Sequence, residues 1–168
     1  MGVDEHKRDA ESVGSISFAV ITISDSRAEA EDESGKFIRE RMEEAGHQLV
    51  SYRLLKNELE AIRRDVIELI EAKVGCIVTT GGTGLSSRDM TVEAVSPLFD
   101  KNVGGFGELF RHLSFQEVGT AALMSRATAG SARGTIIFCL PGSTKAVRLA
   151  VERLILPELK HLIRELRR

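Results

Sequence analysis

Short runs that are apolar at almost every position alternate along this chain with longer stretches whose apolar residues recur every three or four positions. Residues 16–23, Ile-Ser-Phe-Ala-Val-Ile-Thr-Ile, are rich in β-branched side chains and nearly continuous in hydrophobicity, as a strand covered on both faces requires. Residues 34–45 set Ile38, Met42 and Ala45 on one helical face, and Gly46 follows where a helix C′ residue belongs. Residues 47–55 read as a second strand. Asn57, with Glu60 three positions on, predicts a capped helix start, and Leu59, Ile62, Val66, Leu69 and Ile70 continue an amphipathic helix to the neighbourhood of Gly75. Residues 76–80 form a third strand. The first half therefore reads β-α-β-α-β, which predicts a parallel sheet sandwiched by helices.

In the second half, residues 91–95 start a helix that Pro97 interrupts, and Gly104-Gly105-Phe106-Gly107-Glu108 opens another that contains Leu109 and Phe110. Residues 114–126 have helical character, with Val118, Ala121, Ala122 and Met124 small or apolar enough for close packing on a neighbour. Residues 128–132 and 135–140 flank Arg133-Gly134, a tight turn, so an antiparallel edge is expected on an otherwise parallel sheet. Pro141-Gly142-Ser143 ends a strand and starts a helix carrying Val147, Ala150, Val151 and Leu154, and Pro157 marks a break before a last amphipathic turn.

A length of 168 residues suits one domain, read as residues 14–168 behind a charged, small-residue tail at 1–13 that is expected to be disordered. Basic residues number 23 and acidic ones 25, for a net charge of −2, which offers no general field for nucleic acid or an anionic membrane. Any phosphate must be held locally. The tail lacks the apolar core of a signal peptide and no later run approaches a membrane span, so the expectation is a cytoplasmic protein. Cys76 and Cys139 lie inside apolar runs with no Cys or His at metal-ligand spacing and read as core residues.

The third strand runs straight into Thr80-Gly81-Gly82-Thr83-Gly84, where three glycines in four residues allow positive φ and bring N–H groups close to an anion such as phosphate. The run closes with no Gly-Lys-Ser/Thr and has Ser87 where the last glycine of G-x-G-x-x-G belongs, so neither nucleotide motif applies. A plain turn punctuated by glycine remains the alternative. Asp89 stands just beyond. A carboxylate beside a phosphate pocket repels the ligand unless a divalent cation lies between, which points to a metal-bound nucleotide; a helix N-cap is the simpler role.

Ser24-Asp25 leaves the first strand in the same way and should open onto the same sheet edge, as a ligand contact or as an Asx turn. Glu108 follows glycines that would let its carboxylate reach a cleft, or is a solvated first-turn acid. Ser125 and Arg126 suit an anionic substrate, with a surface ion pair as the alternative for Arg126. Pro141, Gly142 and Ser143 make a second strand-to-helix turn with backbone donors, as any strand end also requires. None of the four histidines stands at triad or metal spacing.

From Ser15 to Ile163 the chain resembles the MogA/MoaB family of molybdenum cofactor biosynthesis. The matching residues are Ser24-Asp25, Thr80 to Gly84, Arg88-Asp89-x-Thr91-x-Glu93-Ala94, Gly105-Phe-Gly-Glu108, Ser125-Arg126-Ala127 and Leu140-Pro-Gly142, with Pro141-Gly-Ser-Thr-Lys145 nearest the MoaB branch. The resemblance implies a three-layer α/β/α sandwich, trimers or hexamers, and adenylyl transfer from Mg-ATP to molybdopterin with release of pyrophosphate. Carried onto this chain, it implies that Gly81, Gly82, Thr83 and Gly84 hold phosphates. It further implies that Asp89 binds Mg²⁺ and that Glu108, Ser125, Pro141, Gly142 and Ser143 line the substrate cleft. One position departs from the MogA pattern: where that branch has Pro-Asp-Glu, this chain has Lys56-Asn57-Glu58, and an amide brings no negative charge to the metal. A molybdopterin-binding or scaffold protein of the same fold is therefore the competing expectation.

Overall fold

Along β1 (Ser17–Ile23) successive side chains point to opposite faces, and both faces are covered. Phe18 and Val20 join one buried cluster, and Ala19, Ile21 and Ile23 join another. The computed structural model of the chain describes residues 13–26 and 28–168. With β2 (Gln48–Leu55), β3 (Cys76–Thr80), β4 (Lys101–Asn102), β5 (Thr128–Ala132) and β6 (Thr135–Leu140), β1 forms a six-stranded sheet of order β2-β1-β3-β6-β5-β4. The four strands β2, β1, β3 and β6 are parallel, while β5 pairs antiparallel with β6 and β4 with β5.

Helices cover both faces. On one, α2 (Leu59–Glu71) and α3 (Thr91–Val95) bury Ile62, Val66, Leu69, Ile70, Ala94 and Val95. On the other lie α1 (Glu33–Glu44), α4 (Gly104–Val118), α5 (Thr144–Ala150) and α6 (Leu156–Leu166), contributing Ile38, Met42, Phe106, Phe110, Val147, Leu159 and Ile163. The three-layer α/β/α sandwich with an antiparallel edge hairpin is thus present. Phe18, Phe110 and Phe138 are among its fully buried side chains, each stabilising by roughly 1.5–3 kcal/mol. The hairpin turns at Arg133 and Gly134, with φ of 49° and 88°, the two positive angles that a right-twisted two-residue turn requires. Both cysteines are core residues; burial pushes the Cys139 thiol up to about 12 and raises that of Cys76 as well.

Local details depart from the sequence pattern for identifiable reasons. Asn57 is not the cap of α2, which begins at Leu59 after Glu58 and has no side-chain cap bond; Asn57 Oδ1 accepts from Met90 N–H instead. The helical stretch expected over 114–126 divides: α4 stops at Gly119, whose φ is 64°, and a 3₁₀ turn follows over Gly119–Met124. Pro157 does not break the C-terminal helix. A π-helical turn, Val151–Ile155, joins α5 to α6, and Pro157 falls in the first turn of α6, where its missing N–H costs least. The two-residue β4 carries no hydrophobic pattern and was not anticipated. Residues 1–12 of the expected tail lie outside the described residues, and Val13 is a buried core residue, so the ordered chain begins at least that early.

Candidate functional site

Because β1, β3 and β6 are neighbours and parallel, their carboxyl ends open onto one edge of the sheet. The chain winds outward in opposite directions from β1 and β3, which makes that edge the switch point where such folds bind ligands. A cleft of about 560 Å³ lies there. It brings together Ser24 and Asp25 after β1, Asn57 after β2, residues 81–84 and Asp89 after β3, Ser125 before β5, and Pro141, Gly142 and Ser143 after β6.

The glycine turn is fixed by contacts that only glycine permits. Gly81 and Gly82 have φ of 94° and 66°; a Cβ on Gly81 would stand 2.2 Å from the Ile23 carbonyl oxygen, and one on Gly82 2.3 Å from Thr91 Oγ1. Thr91 then straps the turn, its Oγ1 donating to Gly81 O at 2.8 Å and its N–H to Gly82 O at 2.9 Å. Gly81 N–H donates to Leu140 O at 3.0 Å, and Thr80 Oγ1 to Pro141 O at 2.9 Å, so the turns after β3 and β6 are held against each other. Thr80 is itself buried and supports the cleft from behind without lining it. Among the described residues, no protein acceptor takes the N–H of Gly82, Thr83 or Gly84, all of which line the cleft.

Asp89 closes over this turn. Its Oδ2 accepts from Ser86 N–H at 3.0 Å, and an added Cβ on Gly84 would come within 2.6 Å of the same oxygen. Asp25 is differently engaged: Oδ1 accepts from Asn57 N–H at 2.9 Å and Oδ2 lies 2.9 Å from Arg88 Nη2. Asn57 thereby ties the end of β2 to the β1 turn through its N–H and to the chain after Asp89 through its side chain. Arg126 lies just behind. Its Nε donates to Thr83 O at 3.1 Å while Nη1 and Nη2 meet the Glu93 carboxylate at 2.5 and 3.0 Å, a two-pronged pair that also holds the Glu93 carboxyl below the usual carboxylate range. The surface ion pair considered for Arg126 is present, and the same guanidinium positions the glycine turn.

The remaining wall escaped sequence reasoning. Phe110, Ser114, Glu117 and Val118 come from α4, Met124 from the 3₁₀ turn, and Lys145, Ala146 and Leu149 from α5. Val118 and Met124 read as packing residues, and Lys145 entered only through the Pro141–Lys145 run. Ala121 and Ala122, read as helix-packing residues, line this cleft too. Ser143 caps α5, its Oγ accepting from Ala146 N–H at 3.3 Å. Glu108 is the exception to the expected grouping: the α-helical turn directs it outward, so it is exposed and does not line the cleft.

Among the described residues, no three His, Cys, Asp or Glu side chains gather to hold a metal by themselves. A single carboxylate combined with ligand oxygens and water suits Mg²⁺, which dehydrates reluctantly and is commonly bound through one or two carboxylates plus substrate phosphates. Asp89, beside unpartnered amide donors, is a carboxylate that would suit such a role.

Comparison with known proteins matches residues 19–161 to the family model described as "Probable molybdopterin binding domain". The chain is 45% identical over 170 residues to molybdenum cofactor biosynthesis protein B of Bacillus subtilis (strain 168), covering 100% of this chain and 99% of that protein. Among solved structures, a molybdenum cofactor biosynthesis protein B aligns with a TM-score of 0.88 at 44% identity, covering 91% of this chain and 96% of that one. The tungsten cofactor synthesizing protein MoaB from Pyrococcus furiosus aligns with a TM-score of 0.85 at 39% identity, covering 92% and 98% respectively.

Proposed function

The chain belongs to this molybdopterin-binding family of molybdenum cofactor biosynthesis, and from that premise we propose that it transfers an adenylyl group from Mg-ATP to molybdopterin. A phosphate oxygen of molybdopterin attacks the α-phosphorus of ATP; the bond from that phosphorus to the bridging oxygen breaks, and pyrophosphate leaves. Such chemistry asks the protein for positioning and charge neutralisation and needs no covalent nucleophile. The observation that carries the reading is the juxtaposition, in one cleft, of the unpartnered N–H groups of residues 82–84 with the Asp89 carboxylate. The amides would hold phosphate oxygens and Asp89 would hold Mg²⁺. Bound there, the cation would neutralise charge on the phosphates. Thr91, Asn57 and Arg126 keep the turn in its binding shape before the nucleotide arrives. Ser125 and the turn 141–143 contact the pterin substrate, and the reaction takes place in the cytoplasm.

Purified protein supplied with Mg-ATP and molybdopterin should release pyrophosphate and form adenylylated molybdopterin. Asp89→Asn should lower kcat/KM by roughly a hundredfold, the scale of losing one electrostatic contact in such a site. Wild-type rates in that variant would remove the metal role. A second reading, molybdopterin binding without catalysis, is favoured by one observation: Asn57 brings no charge, and its Oδ1 is already bonded to Met90. It predicts molybdopterin binding with no pyrophosphate release. For assembly we propose a trimer or hexamer, supported by the exposed apolar side chains Leu109, Phe115 and Leu123, and light scattering showing a monomer at micromolar concentration would contradict it.

A further inference from the structure

The cleft has an apolar wall that phosphate chemistry leaves without a task. Val118, Ala121 and Met124 are exposed on it, backed by the buried Phe110, Ala122 and Leu149, and offer a hydrophobic patch of the kind on which a flat heterocycle lies. Two polar side chains border it. Glu117 Oε2 on α4 and Lys145 Nζ on α5 are 3.6 Å apart, with side chains 39% and 67% exposed, and both line the cleft. At that separation the two groups share charge without a close hydrogen bond, and a pair so exposed holds its partners weakly. Lys145 is also the sole Lys or Arg among the described lining residues, where the carboxylates are Asp25, Asp89 and Glu117.

We propose that Glu117 and Lys145 together recognise the pyrimidinone edge of a 2-amino-4-oxo pteridine whose rings lie on the apolar wall. The inference rests on the reading of a pterin substrate given above and names the residues that select it. That edge presents, side by side, two donors, the 2-amino group and N3–H, and one acceptor, O4. A carboxylate has two oxygens to accept from the parallel donors, and an adjacent ammonium donates to O4. Adenine lacks this order: its pairing edge carries one donor beside a ring-nitrogen acceptor, which a carboxylate repels. The pair therefore directs the pterin to the α4–α5 side and leaves the nucleotide to the glycine turn.

The test uses two fluorescent probes, pterin and lumazine, which share the ring system and O4 but differ at position 2, where lumazine has an oxygen acceptor in place of the amino donor. In fluorescence titrations the wild-type chain should bind pterin about tenfold more tightly than lumazine, less than a fully buried site achieves because Glu117 is partly exposed. Glu117→Gln should bring the ratio close to one. Lys145→Met should weaken both probes alike, because O4 is common to them, and leave the ratio intact. A tenfold preference that survives Glu117→Gln, or a wild-type chain that binds pterin and lumazine equally, overturns the inference and leaves adenylyl transfer standing. Binding of neither pteridine to the wild-type chain overturns both.

Discussion

Replacing Arg126 with Met asks how far the glycine turn, proposed to bind phosphate, depends on its clamp. In the native chain one planar guanidinium bonds Thr83 O at 3.1 Å through Nε and the Glu93 carboxylate at 2.5 and 3.0 Å through Nη1 and Nη2, joining α3 to the turn. Methionine keeps an aliphatic stem and deletes all three bonds. A hydrogen bond from a charged donor is worth about 1.5–3 kcal/mol. The Glu93 pair, with side chains 29% and 42% exposed, adds only about 0–1 kcal/mol, because water screens it. With the Thr83 bond lost and the Glu93 pair contributing little, the net cost should be about 2 kcal/mol, a drop of roughly 4–8 °C in Tm for a chain of this size. Affinity should suffer further, since the turn must then be ordered by the ligand itself; the Kd for Mg-ATP, read by calorimetric titration, should rise about tenfold. Arg126→Lys should behave like Arg126→Met, because an ammonium lacks the fork that serves both partners. Both variants binding Mg-ATP within a factor of two of wild type would refute the clamp.

Asn57→Asp should retain the bond to Met90 and stay within about 2 °C of the wild-type Tm, while the added carboxylate strengthens Mg²⁺-dependent nucleotide binding in titrations at several metal concentrations; unchanged metal dependence contradicts this. Gly81→Ala should lower Tm by roughly 5–10 °C in a thermal melt, because its Cβ would meet backbone at 2.2 Å and φ is 94°; a Tm unchanged from wild type contradicts the close packing. Burial first, and Lys160 second, lower the pKa of His47 from its ordinary 6.5, and Nδ1 accepts Ile16 N–H at 3.3 Å, so the fold favours the neutral ring. The unfolded chain then binds the extra proton: stability is complete above the ordinary pKa and is lost as pH falls through that value toward the folded one. Melts between about pH 7.5 and 5 should show the decline, and His47→Gln, which can accept the same bond, should flatten it; parallel curves contradict the assignment.

The sheet and its layers were legible because β1, β3 and β6 are apolar at most buried positions, with β-branched threonine at the others, and α1 and α2 carry helical stripes. The glycine turn was legible for a related reason: the positive φ of Gly81 and Gly82 answers to backbone geometry, which leaves its mark on local sequence. What stayed hidden depends on contacts between distant segments. Asn57 followed by Glu60 matches a cap locally, but folding brings Met90 within 3.2 Å of its Oδ1 and that bond prevails. Lys145 and Glu117 meet across the α4–α5 gap, and nothing in either helix announces the other. Glu108 failed in the opposite sense, since its place after glycines suggested reach while its helical phase turns it outward.

The proposed nucleotide site is tested most directly by a crystal of the protein soaked with Mg²⁺ and a non-hydrolysable ATP analogue. Phosphate oxygens should lie within hydrogen-bonding distance of the N–H groups of Gly82, Thr83 and Gly84, with the cation on the Asp89 carboxylate. A nucleotide bound elsewhere on the molecule, or one in this cleft with its cation away from Asp89, would contradict the account.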